Sequence, residues 1–297
     1  MLSIVVNFYN NRREAENTLH SLTRAYQKGL GNTPYEVIVI DNGSAQPLSE
    51  ERVGSFGPEF RYRFVATTSP SPAQSINAAC RDAVGDELMV VIDGAHILTP
   101  GILCRAKDAF SLFRSPFIAT VPFHLGPKNQ SHSVSEGYNQ VVEDQLLGQS
   151  GWRLNGYRLF RCSGAFADGS GGWFGSLYES GCFGMRKQDY LSLGGLDERF
   201  QSRGGGLVNL DFFARALSCL TLDYVMLLGE GSFHQVHGGV ASNAPRDHHP
   251  FEEFHREYVS IRGAAYQRVH RTPYQIGALA NEALPIVRHS AARAEAR

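Results

Sequence analysis

Carboxylates, imidazoles and side-chain amides gather at a few short stretches of the 297-residue chain, and those stretches set the chemistry open to it. Asn7-Phe8-Tyr9-Asn10, Asp41-Asn42-Gly43-Ser44 and Asp93-Gly94-Ala95-His96 each follow directly on an apolar run. Much later, Ser232-Phe233-His234-Gln235-Val236-His237-Gly238-Gly239 carries an H-x-x-H pair behind the strand-like run 224–228. Seven of the eleven histidines lie beyond residue 230, so the imidazoles are clustered. Carboxylate oxygens and imidazole nitrogens together are a donor set for divalent cations, and the same groups move protons. Asp211 stands four residues before Arg215, a spacing that suits a helical ion pair as readily as a general base.

These segments need a scaffold that brings them together. The first 125 residues alternate strand-like and helix-like patterns. Residues 2–7 form a β-branched run, and Asn11 with Glu14 three positions on predicts a capping box that opens a helix to about residue 28, ended by Gly29. Strands are expected over 35–40, 62–67, 87–92 and 116–121. Helices are expected over 72–84 and 101–113, the second with Thr99 as N-cap and Pro100 at its first turn. Apolar strands alternating with helices imply an α/β fold with a mostly parallel sheet covered on both faces. Ligands bind such sheets beyond the carboxyl ends of the strands, where the three polar segments fall.

The second half is less regular. Val141, Val142, Leu146 and Leu147 give helical spacing within 135–149. The stretch 164–175 is rich in glycine, but no strand leads into it and no helix out of it. It therefore reads as a substrate loop or surface turn rather than a dinucleotide fingerprint. Beyond about residue 250 the chain turns polar and helix-forming, an expected appendage with a frayed end.

Composition narrows the function. With 28 Lys+Arg against 29 Asp+Glu, the formal charge is −1, and there is no cation excess of the kind a sequence-independent nucleic-acid binder needs. Hydrophobic residues at 42% and charged residues at 19% exclude a disordered polymer. The apolar run 88–92 falls far short of the roughly 20 residues that cross a bilayer. The opening Met1-Leu2-Ser3-Ile4 runs into a strand-like segment without a basic leader, so a cytoplasmic location is expected. Five cysteines with no C-x-x-C pair read as reduced thiols.

Taken in order, these segments resemble the GT-A glycosyltransferases, most closely the large inverting family called family 2, over roughly residues 2–240. Residues 3–10 look like its opening strand and loop, and 36–44 like its second strand with an Asp-rich turn. Residues 75–86 look like its Asn-bearing helix. Val91-Ile92-Asp93-Gly94-Ala95-His96 stands where the metal-binding D-x-D would be, and 179–186 with Leu193-Gly194-Gly195-Leu196-Asp197-Glu198-Arg199-Phe200 resembles the acceptor-side strand and the GGxDExF element. The resemblance implies a GT-A domain over 1–245, with a nucleotide-binding half (1–125) and an acceptor half (126–245), followed by a helical C-terminal extension over 246–297. It also implies transfer of a sugar from a nucleotide diphosphate donor, UDP-linked by expectation, to a hydroxyl of a glycan or glycolipid with inversion.

The same resemblance implies residue roles. Asp41 would accept a base N–H, and Phe8 or Tyr9 would pack on the base; Asn10, Asn77 and Asp93 complete the nucleotide set. Asp93 and His96 would hold a divalent cation with His237 as first choice of distal ligand and His234 as second; His248 and His249 read as surface residues. Ala95 replaces the second D-x-D carboxylate, and imidazole ligation favours Mn²⁺ over Mg²⁺. Glu179, Trp173 and Phe174 would face the acceptor, with Trp152 and Tyr178 as further stacking surfaces. Val208 and Asn209 occupy the place of the Glu-Asp pair that provides the base. Asn209 cannot take a proton, so Asp211 is the first candidate, Asp197 and Glu179 the alternatives, and a retaining mechanism stays open. Expected partners are the donor and the acceptor, with no nucleic acid and no transmembrane segment; peripheral membrane contact and self-association through the C-terminal helices remain open. The altered D-x-D and Asn209 also motivate a second reading, a sugar-nucleotide-binding or assembly subunit without turnover.

Overall fold

The computed structural model describes residues 1–166, 171–244 and 249–295; part of the glycine-rich loop and His248 lie outside them. Among the described residues, ten strands form one sheet: β1 (Leu2–Phe8), β2 (Tyr35–Asp41), β3 (Phe60–Phe64), β4 (Glu87–Val91), β5 (His96–Leu98), β6 (Pro116–Leu125), β7 (Ser163–Phe166), β8 (Cys182–Arg186), β9 (Asp223–His234) and β10 (Tyr274–Gly277). Their order is β10-β9-β6-β8-β4-β1-β2-β3, with β5 on β9 and β7 on β6. The β4-β1-β2-β3 block is parallel throughout, and β6, β9 and β10 are parallel to one another. Antiparallel β8 joins the two blocks by pairing with both β4 and β6.

Side chains on a strand alternate between faces. Along β1, Leu2, Ile4, Val6 and Phe8 enter one apolar cluster while Val5 enters the other. Both faces are therefore covered, as the unbroken apolar strands imply. All five cysteines are unpaired.

Several elements depart from expectation near the sheet's carboxyl edge. The first helix spans Arg12–Ser21 and stops short of residue 28 because the Gln27 side-chain amide donates to the Ser21 carbonyl at 2.7 Å and closes the end. Asn11 makes no capping bond to it. The helix after Pro100 begins at Ile102, and the Thr99 hydroxyl instead accepts the Gly231 N–H at 3.0 Å. Strands β6 and β9 run past residues 121 and 228 to Leu125 and His234, crossing a register shift between Ala119 and Val121. That extension carries His124 and His234 into the sheet.

The C-terminal segment is not a purely helical appendage. Tyr274–Gly277 becomes the sheet's edge strand on β9, and Ser290 in the helix Leu284–Glu295 is fully buried, donating to Gly171 O at 3.0 Å. The helix Phe251–Arg262 docks through Arg262. Its Nε and Nη2 grip the two oxygens of Asp211 at 2.6 and 2.7 Å, and Arg215 Nε adds a third contact at 2.8 Å. Asp211 is 1% exposed with both oxygens held by guanidinium groups, so it is a buried anchor and not a base within reach of an acceptor hydroxyl. The i, i+4 ion pair is the reading that the structure realises.

Removing the anion takes from Arg215 its carboxylate partner and leaves Arg262 with Asp197 alone. Asp211→Ala is expected to cost about 3 kcal/mol and to expose the helix Phe251–Arg262 to limited proteolysis. A variant that keeps its melting temperature but loses turnover would return Asp211 to the list of bases.

Candidate functional site

Three strands place three histidines in one row. His96 on β5 and His124 on β6 are both in register with His234 on β9, so the rings come together because the backbones pair. The His96 and His234 ring centroids are 5.0 Å apart, those of His124 and His234 5.5 Å. His237 follows on the loop after β9, its Nε2 3.2 Å from His234 Nε2. Burial pushes all three sheet histidines down, His96 to about 3 and His234 and His124 to about 4, so at neutral pH their rings are uncharged and retain a lone pair.

Asp93 meets this row from the end of β4. Its Oδ1 accepts the Asn11 amide and the Ala95 N–H, each at 3.0 Å, which fixes the carboxylate and leaves Oδ2 pointing at the imidazoles. Oδ2 lies 3.1 Å from His237 Nε2 and 3.5 Å from His234 Nε2. Burial alone would raise the Asp93 pKa, but His237 and His234 more than offset it and hold the carboxyl well below its usual range. His237 moves the other way: burial opposes its charge, yet the Asp93 carboxylate raises its pKa.

Asp93, His96 and His234 each offer a ligand atom, all within 4.8 Å of one another, and this group can hold a metal ion. Two features fit that use. His96 Nδ1 is buried without a hydrogen-bond partner, an arrangement that costs free energy while nothing meets its proton or lone pair. A carboxylate oxygen facing imidazole nitrogens needs a proton or a cation between them, either an N–H of His234 or His237 or a metal ion. A one-carboxylate, two-imidazole set suits a first-row transition ion better than an all-oxygen magnesium site.

Asp93 and His237 also border a cavity of about 430 Å³ at the carboxyl ends of β1, β2 and β4, within the usual range for a small-molecule site. Asn7, Tyr9, Asn42 and Arg203 are among its other walls. Asn10, in a left-handed conformation at φ 56°, stitches the loops after β1 and β2 together: its N–H donates to Ser44 Oγ and its Oδ1 accepts the Ala45 N–H. Arg203 is exposed and forms no ion pair among the described residues.

Tyr9, Asn10, Asp93 and His237 thus line the cavity, with His96 and His234 behind Asp93. The other expected contacts lie elsewhere. Phe8 is in the core, and a Cβ at Gly94 would overlap its ring, so it cannot stack on a base. Asp41 is fully buried, its oxygens taken by the Ser44 and Leu48 N–H groups at 3.0 and 2.9 Å; it caps its own turn. Asn77 clamps the Gly195–Leu196 turn through Leu196 N, Leu196 O and the Tyr190 hydroxyl, which leaves nothing to offer a nucleotide. Trp173 is fully buried, with Nε1 on Glu230 O at 3.2 Å, and Trp152 is 2% exposed; neither is a sugar platform. Phe174 is 38% exposed, and Glu179 is half-buried with Asn209 Nδ2 3.5 Å from its Oε2. Asp197 is held by Arg199 and Arg262. Sequence reasoning missed Arg203, whose only signal is its place before three glycines, and read Asn11 as a helix cap.

The family model for glycosyl transferase family 2 matches residues 3–167, more than half of the chain. Among solved structures, S. aureus TarS 1-349 in complex with UDP aligns with a TM-score of 0.53 at 16% identity, covering 90% of this chain and 67% of that one. TarS 1-349 in complex with UDP-GlcNAc gives 0.54 at 17%, covering 90% and 68%, and a longer TarS chain gives 0.54 at 16%, covering 90% and 40%. Such identities speak to fold alone. No curated protein sequence matches. The sheet architecture is the GT-A glycosyltransferase fold of these neighbours, and the chain belongs to glycosyl transferase family 2.

Proposed function

We propose that the chain is a metal-assisted glycosyltransferase that moves a sugar from a UDP-linked donor to a hydroxyl of a glycan or glycolipid, with inversion. The observation that carries this reading is the Asp93 carboxylate, aimed at His234 and His237 on the border of a cavity that also presents Arg203. Asp93, His96 and His234 would hold the cation, Mn²⁺ in preference to Mg²⁺ because of the two imidazoles. Bound there, it would supply Lewis-acid stabilisation of the diphosphate as the glycosidic bond breaks. Arg203 offers a fork of donors to the same phosphates, and Tyr9, 58% exposed, offers its ring to the base. That TarS structures hold UDP and UDP-GlcNAc supports the choice of donor nucleotide.

An inverting displacement needs a base for the acceptor proton. We take Glu179 as that base from its place at the start of the acceptor-side stretch 179–186. It precedes by two residues Gly181, where a Cβ would lie 3.4 Å from His96 Nε2, so the stretch that carries Glu179 passes beside the His96 ring. The absence of a Glu-Asp pair at Val208 and Asn209 favours one competing reading, a donor-binding subunit without turnover.

Asp93→Ala should abolish Mn²⁺-dependent UDP binding in calorimetry, and unchanged titrations would remove Asp93 from the site. Arg203→Ala should weaken UDP roughly tenfold, the worth of a lost charge-assisted contact at about 1.5 kcal/mol. Glu179→Gln should leave UDP affinity intact and lower kcat by roughly 10²–10⁴-fold. If the wild-type chain binds sugar nucleotides but releases no nucleoside diphosphate from any of a panel with Mn²⁺ and candidate acceptors, the subunit reading replaces the enzyme.

A further inference from the structure

We propose that Gln130 is a positioning residue that fixes the tautomer of His234 and ties that ring to the glycine loop bordering the donor cavity. Several groups around Gln130 can play only one hydrogen-bonding role. The backbone N–H groups of His237, Gly238 and Gly239 all point at Asn243 Oδ1, at 3.0, 2.9 and 3.1 Å. Backbone amides only donate, so that atom is the oxygen, and the other end of Asn243 is its NH₂. This Nδ2 donates to Gln130 Oε1 at 2.9 Å. On the far side of the same side chain, Gln130 Nε2 donates to His234 O at 2.9 Å and Leu125 O at 3.3 Å, and carbonyls only accept. The orientation of Gln130 is thus set twice over, once from each end.

Its Oε1 lies 2.7 Å from His234 Nδ1. An amide oxygen has no proton to give, so Nδ1 carries the hydrogen and the lone pair of the uncharged ring sits on Nε2. Nε2 is the atom facing Asp93 Oδ2. Gln130 is fully buried, so water does not compete for these bonds, and its own N–H donates to His124 Nδ1 at 2.9 Å. The loop is secured from a second side by Glu143, whose two oxygens accept the Val236 N–H at 3.1 and 2.9 Å. One glutamine side chain therefore holds the backbone of His234, the orientation of its ring, and, through Asn243, the loop 237–239. Outer contacts of this kind to ligating histidines are worth roughly 10–100-fold in metal affinity.

The proposal deepens the metal reading of Asp93, His96 and His234 and rests on it for one of its two measurements. The tautomer is read from two-bond ¹H–¹⁵N correlations of the full chain with labelled histidine, without added metal, the His234 signals being assigned by their loss in His234→Ala. The wild type should show the Nδ1–H form. Gln130→Glu keeps an acceptor oxygen, and Glu143 Oε2, 3.5 Å from the present Nε2, disfavours a second charge there, so this variant should keep the same form. Gln130→Met should shift His234 toward Nε2–H and weaken Mn²⁺ in calorimetry by roughly 10–100-fold. A wild-type Nε2–H form, or a folded Gln130→Met protein that retains Nδ1–H, overturns the proposal. If Gln130→Met does not fold, the wild type and Gln130→Glu decide it, since Nε2–H in either overturns it and Nδ1–H in both upholds it. Wild-type protein that binds no Mn²⁺ sinks the metal reading instead, and the tautomer still decides the role of Gln130.

Discussion

The interaction on which the rest of the site depends is the meeting of one carboxylate with a row of buried, uncharged imidazoles. Asp93 Oδ2 faces His234 and His237 at 3.5 and 3.1 Å; burial keeps the sheet histidines uncharged, while the carboxylate favours a proton on His237. A carboxylate and a lone-pair nitrogen this close repel unless a positive centre lies between them. The fold supplies what such an arrangement needs. Two donors steady the other carboxylate oxygen, strand pairing sets the spacing of the rings, and an amide oxygen directs one ring's lone pair inward.

Family 2 membership turns this chemistry into a statement about function, and the chain's departures from the family pattern gain a physical meaning. Ala95, in place of a second carboxylate, is fully buried, and its N–H steadies Asp93. The ligand it does not provide has a counterpart one residue on, in His96, which reaches the group only because β5 pairs with β9. Nitrogen donors thus stand in for oxygen, which is why the proposed cation is a transition ion.

Several residues expected at the substrates are anchors of the scaffold. Asp211 holds the C-terminal helix through Arg262, Trp173 fills the core beside Phe123 and Phe160, and Asn77 clamps the turn at Gly195. At Gly195, φ is +63° and a Cβ would press on Asn77 Oδ1, so the GGxDExF-like turn and the Asn-bearing helix are one structural unit. Their conspicuous spacing in the sequence reflects packing between elements more than contact with substrate.

What the sequence by itself determined is local: strands with two buried faces, polar segments at their carboxyl ends, and a clustered set of histidines. Those features follow from short-range periodicity and turn chemistry, and together they sufficed for the fold class and for the set from which the metal group is drawn. Only the tertiary structure decided which polar residues serve the cavity and which serve the scaffold. Asp41 and Asp93 look alike in sequence, each an acid after an apolar strand. Backbone N–H groups take both oxygens of Asp41, whereas Asp93 keeps one oxygen directed toward imidazoles brought in by other strands. Asn11 and Gln130 were illegible for the same reason, since their partners lie 82 and 104 residues away and nothing local marks them. A side chain's role is set by which of its lone pairs and protons remain after folding, and that remainder is a property of long-range contacts.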